Sequence, residues 1–269
     1  MVKFIVTYGT LIIAAIALAQ PWIIALYKRY FRKGSVEIYE SANIEIGYSL
    51  FGPTIGILGT LRCLNRDQFI KTIQLELVKE KDKSTHLFEW GVFRSNKISI
   101  GSEQQATLEV PASFMISTAV PYRFNIQFHD LKTKNEMQSI IAALYSKWSK
   151  LMNETSKEAL MELMVKTTEL KTEFQDPYGA LHSIFSKSDI HVQSFTSLDR
   201  ICYWEPGTYY LNMKVKTSTP EKSFKKEWCF NLNEEEVKLI RLNAIKMLLD
   251  TCGRPNTDNY FFVYTKYEE

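Results

Sequence analysis

Apolar side chains recur at every second position in one short segment after another, and this pattern most restricts what the chain can become. Ile44, Ile46, Tyr48 and Leu50 alternate with polar partners or glycine, as do Ile73, Leu75 and Leu77, then Phe88, Trp90 and Val92, then Tyr122, Phe124, Ile126 and Phe128. Successive side chains of a strand point to opposite faces, so each segment reads as a strand with one buried face. Turn signals separate them, including Phe51-Gly52-Pro53 and the run Lys79-Glu-Lys-Asp-Lys-Ser84. Strands joined by hairpin-sized turns predict antiparallel pairing. The stretch Thr54–Leu64 is a further strand interrupted by Gly56 and Gly59, where a bulge or close backbone approach is expected.

The period changes after residue 135. Met137, Ile140, Ile141, Leu144, Trp148 and Leu151 fall at helical spacing, and Thr155 with Glu158 reads as a capping box opening a second helix through Leu160, Leu163, Met164, Leu170 and Phe174. These two helices predict a hairpin inserted between β segments. Its stripe Met137, Ile141, Leu144, Trp148, Met152 and Met164 offers adaptable apolar surface to a protein partner. Alternation then returns. Asp189–Phe195 reads as a strand, followed by Trp204–Thr217 with Tyr209, Leu211, Met213 and Val215 on one face, and by Ser223–Phe230 as its hairpin mate. Asn233 with Glu236 forms a capping box for a third helix, which Gly253 and Pro255 end; Tyr260–Tyr264 is the last strand.

The Pro206-Gly-x-Tyr-x-Leu-x-Met-x-Val run resembles the late strand of immunoglobulin-like sandwich domains. The resemblance covers about a dozen residues and implies fold only. The expected architecture is therefore mainly β with helical additions: an N-terminal single transmembrane helix, then an immunoglobulin-like antiparallel β-sandwich with an inserted helical hairpin and a C-terminal helix. The boundaries are 1–33 for the anchor, 34–132 for the first β part, 133–178 for the hairpin, and 179–269 for the sandwich completion with helix 233–252.

The anchor rests on residues 4–27, which carry no charge, followed by the basic collar Lys28, Arg29, Arg32 and Lys33. A helix of that length suffices for a hydrocarbon core of about 30 Å. Ala17-Leu18-Ala19 looks like a signal-peptide cleavage site, but apolarity resumes after Pro21 and the positive charge follows the apolar run. The positive-inside rule places the collar, and the body behind it, on the cytoplasmic side of the cell membrane, with the external face as the alternative. The five basic residues within 1–33 account for the whole net charge of +3, since 28 basic and 30 acidic residues remain. This distribution argues for lipid headgroups as partners and against a nucleic-acid surface.

Little in the sequence points to chemistry. The four cysteines (Cys63, Cys202, Cys229, Cys252) have no metal-ligand spacing and form no disulfide framework. His182, Asp189, His191 and Cys202 cluster in sequence as a loose metal-site candidate. No nucleophile elbow, phosphate loop or H-E-x-x-H helix is present. No cofactor is expected. The leading expectation is a membrane-tethered protein-interaction or scaffolding module without catalytic activity. The alternatives are a lipid- or hydrophobic-ligand-binding domain and a membrane-proximal hydrolase.

Overall fold

The structure, a computed structural model, describes residues 15–27, 34–95, 107–155, 185–218, 221–252 and 262–267, with isolated positions elsewhere (9, 158–159, 161–162, 165 and 181). The long strands are β1 (Ser35–Ser49), β2 (Gly52–Leu64), β3 (Gln68–Lys79) and β4 (Thr85–Ser95). Short strands β5 (Thr107–Glu109) and β6 (Phe114–Ile116) precede β7 (Tyr122–Asp130) and helix α1 (Leu131–Glu154). Then come α2 (Asp189–Ile201), β8 (Gly207–Ser218), β9 (Glu221–Leu232), α3 (Glu234–Thr251) and β10 (Val263–Lys266).

All ten strands belong to one antiparallel sheet, ordered β10-β1-β2-β7-β4-β3-β8-β9, with β5 beside β4 and β6 beside β3. The expected immunoglobulin-like sandwich is thus corrected: one sheet curls upon itself where two packed sheets were anticipated. The ladders β2–β7, β7–β4, β4–β3 and β3–β8 run without a break from one half of the chain to the other, leaving no place for two sheets to separate. Right-handed twist and coiling accumulated over so many strands bring the edges together. At the meeting line Thr265 Oγ1 donates to Asn231 O (3.0 Å), the rings of Trp228 and Tyr267 lie 5.3 Å apart, and Lys226 pairs with Glu40. The result is a nearly closed barrel.

Alternation fixes which side chains point inward. Ile55, Ile57 and Leu61 of β2, Ile73, Leu75 and Leu77 of β3, Ile126 and Phe128 of β7, and Leu211, Met213 and Val215 of β8 are all buried. Gly59 is needed where β1 bulges: a Cβ there would lie 2.4 Å from Tyr39 O and 2.7 Å from the Phe124 ring.

The helices gather at the end of the barrel where β7 and β9 finish. α1 packs on β2, β4 and β7, and α3 on β1. Arg200–Glu136 and Arg241–Asp199 ion pairs join α2 to α1 and α3 to α2. The segment Asp189–Phe195, read as a strand, opens helix α2, which buries Ser194, Leu198 and Ile201 at helical spacing. Thr155 closes α1, its hydroxyl donating to Leu151 O (2.7 Å), where a new helix start was expected. α3 has the capping box of Asn233 and Glu236, with both reciprocal hydrogen bonds formed.

The N-terminal transmembrane helix, and with it the single-pass membrane assignment, is not supported. Among the described residues no helix is long and apolar enough to cross a membrane. The collar Lys28, Arg29, Arg32 and Lys33 lies outside the described residues.

Candidate functional site

Two places concentrate polar groups against apolar surroundings, and they differ in how those groups are used. The first is the junction of barrel and helices. Asp130, the last residue of β7, is fully buried and caps α1, accepting from the amides of Lys132 (2.8 Å) and Thr133 (3.3 Å). Its other oxygen accepts from Tyr203 Oη (2.9 Å) and faces His86 Nδ1 at 3.1 Å. The His86 ring stacks on Tyr203 with centroids 3.7 Å apart. Burial by itself would raise the Asp130 pKa, but the hydrogen bonds from His86, Tyr203 and the two amides outweigh it and hold the carboxyl below its ordinary value. Burial, with Asp130 alongside, pushes the Tyr203 phenol far up, so it stays a neutral donor.

A carboxylate beside an imidazole is the orienting half of many catalytic triads. Here all four hydrogen bonds to Asp130 join structural elements: β4 through His86, the start of α1 through two amides, and the chain after α2 through Tyr203. Nearby, Tyr48 Oη donates to Ile201 O (3.1 Å), and burial raises the Cys202 thiol well away from thiolate chemistry. The arrangement locks the helices to the barrel.

The second place is the line where the sheet edges meet. β1 and β9 run in the same direction there, and β10 lies between them, antiparallel to both, in register with Asn43–Ile46 of β1. Below β10, no ladder joins β9 to β1 among the described residues. The gap is bridged by side chains: Lys226 Nζ to Glu40 Oε2 at 3.6 Å, and Lys222 Nζ to Gly34 O at 3.0 Å. A cleft of about 670 Å³ opens over this seam, walled by Val78, Tyr210, Cys229, Trp228, Tyr267 and Glu40. Trp228 is only 7% exposed, yet among the described residues its Nε1 has no hydrogen-bond partner, and neither does the buried hydroxyl of Tyr267. Burial, and secondarily Glu40, raises the Tyr267 phenol far above its usual value, so it too remains a donor. Of the wall residues Tyr210 is exposed.

The residues singled out for partner binding are placed differently. Met137, Leu144 and Trp148 are buried in the core, Ile141 and Met152 pack partly against it, and Met164 lies outside the described residues. The visible part of that stripe is therefore spent on internal packing. Of the loose metal candidate, Asp189 and His191 sit on α2 and Cys202 follows it, while His182 lies outside the described residues. Among the described residues no group of His, Cys, Asp or Glu could hold a metal ion. All four cysteines are free thiols.

Nothing in the strand and helix periodicity singles out Asp130. The missed clue is local: an Asp directly before Leu131-Lys132-Thr133 is an N-cap. No protein family matches the chain, and comparison with curated proteins and with solved structures gives no match either.

Proposed function

We propose that the chain is a protein-interaction module whose contact surface is the seam of its barrel. The observation that carries this reading is that among the described residues no ladder joins β1 to β9 beneath β10, where a cleft opens over the two edges. Tyrosine and tryptophan dominate the energetics of protein interfaces, because they offer large, rigid, amphipathic area. Here Trp228, Tyr267 and the exposed Tyr210 line the cleft together.

Affinity copurification of the tagged full chain from cells that produce it tests the proposal. The double variant Tyr210→Ala, Glu227→Ala removes two exposed side chains of the cleft wall and leaves the core intact. Tyr145→Ala, an equally exposed position on α1, serves as control. The expected outcome is that proteins retained by the wild type and by the control are lost from the double variant. Equal retention by all three contradicts the assignment of the seam.

A further inference from the structure

We infer that the end of the barrel remote from α1, α2 and α3 docks on the headgroups of an anionic lipid surface. The seam plays no part in this contact, and no membrane-crossing segment is needed for it. Several parts of the chain meet at this end. β1 begins here, with Ser35 opposite Leu64 at the end of β2. The connection from β2 to β3 passes beneath the barrel, because β7 and β4 lie between those strands in the sheet. Residues 117–121, which join β6 to β7, lie against it: Asp67 Oδ1 accepts from the amide (2.7 Å) and the hydroxyl (3.0 Å) of Thr118. Lys222, at the start of β9, closes the ring by donating to Gly34 O at 3.0 Å.

Charge is lopsided here. Arg62, Arg66, Lys71, Arg123, Lys216 and Lys222 are set against three acids, Glu37, Asp67 and Glu221. Glu37 and Asp67 already accept hydrogen bonds from Tyr39 and Thr118. The three helices at the opposite end carry eight basic and eight acidic residues and so have no net charge. The chain also reaches Gly34 from residues 1–33, whose five charges are all basic. Arg62, Arg66, Lys71 and Arg123 are exposed, and uncovered apolar side chains stand among them. Val120 is 67% exposed between the exposed Ala119 and Pro121, and Met115 of β6 is 61% exposed. An apolar tip flanked by cations suits a bilayer surface, where the acyl boundary takes the one and anionic headgroups the other. A nucleic acid would use the cations and leave Val120 and Met115 in water.

The test mixes the full chain with vesicles of phosphatidylcholine alone or of equimolar phosphatidylcholine and phosphatidylserine. Co-sedimentation measures binding, and amide hydrogen exchange locates the contact. Preference for the anionic vesicles is expected, with new protection in residues 64–68 and 117–120 and none in α1, α2 or α3. The wild-type exchange pattern decides this without any variant. Arg66→Glu, Lys71→Glu, Arg123→Glu together should weaken binding about 100-fold, since each basic group near such a surface is worth roughly fivefold. Lys132→Glu, Lys147→Glu, Lys187→Glu together change the net charge equally at the other end and should leave binding in place. Val120→Asp should weaken it about tenfold by removing a buried apolar side chain. Indifference to phosphatidylserine, the same result for both triple variants, or no protection in the two connections overturns the docking. So does an oligouridylate that competes with the vesicles and binds the Val120→Asp variant undiminished, which would make this end a nucleic-acid surface.

Discussion

The Asp130 junction and the β1–β9 seam are both buried polar places in one small barrel, and they differ in how far charged groups and backbone edges are paired there. At the junction a single carboxylate is met by four donors from three parts of the chain. At the seam, among the described residues, two aromatic donors are buried with no acceptor, and two strand edges face each other without a ladder. A buried polar group left unpaired costs about 1–3 kcal/mol, so the difference has energetic weight. At the junction the carboxylate is fully met, although His129 Nε2, Thr133 Oγ1 and Trp204 Nε1 beside it also lack partners among the described residues; what sets the seam apart is two strand edges that no ladder joins among the described residues.

The largest effect that sharpens this contrast comes from removing Asp130. Asp130→Ala strands Tyr203 Oη and two helix-start amides, and a loss of about 4 kcal/mol is expected. For a chain of this size that lowers Tm by roughly 10 °C, measurable by calorimetry. Asp130→Asn keeps the cap geometry and should lose less than half as much.

Acid is the next lever. The folded Asp130 pKa lies below its unfolded value, so its contribution is complete above the unfolded pKa of about 3.9 and is lost as pH falls through the folded one. His129 adds a second component at higher pH. Burial, reinforced by Lys134 and Arg94, lowers its pKa from 6.5 to about 4, so it is neutral in the folded protein. The unfolded chain binds the extra proton between these values. Stability is therefore full above pH 6.5 and declines by about 3 kcal/mol as pH falls to about 4. His129→Gln should flatten this limb of a denaturant-midpoint profile and leave the steeper loss below pH 4 in place.

Smaller effects separate ordinary structural bonds from the seam. Asn233→Ala removes half of the α3 capping box and should cost about 1 kcal/mol. Lys226→Ala breaks the part-exposed bridge across the seam and should change the denaturation midpoint by no more than about 0.5 kcal/mol. A loss comparable to that of Asp130→Ala would mean that the seam is held shut as firmly as the junction, and the contrast between the two would fail.

These two regions also mark what could be read from the sequence. Period-2 alternation located the long strands because each has one face buried, and Asn233 with Glu236 announced α3 because capping is local. The helix at Asp189–Ile201 was hidden, since Ile190 and Val192 alternate over its first turn and the helical set Ser194, Leu198 and Ile201 emerges only farther along. Curling of the sheet depends on pairings such as Ile55 with Phe128 and Leu75 with Met213, which are distant in sequence and leave no local mark. The seam was invisible for the same reason: Trp228 looks like any inward strand residue until its neighbour across the gap is known. Asp130 went unread although its capping cue is local, and its contacts with His86 and Tyr203 leave no local mark.

The most direct measurement is residue-resolved amide hydrogen exchange on the full chain without any partner. In β2 and β7, which have neighbours on both sides, successive amides should all be strongly protected. Along 35–40 and 221–227 protection should alternate, with every second amide, the one facing the seam, exchanging at least about 100-fold faster than its neighbour. Uniform protection along both edges would show that the barrel is fully closed and would contradict the account.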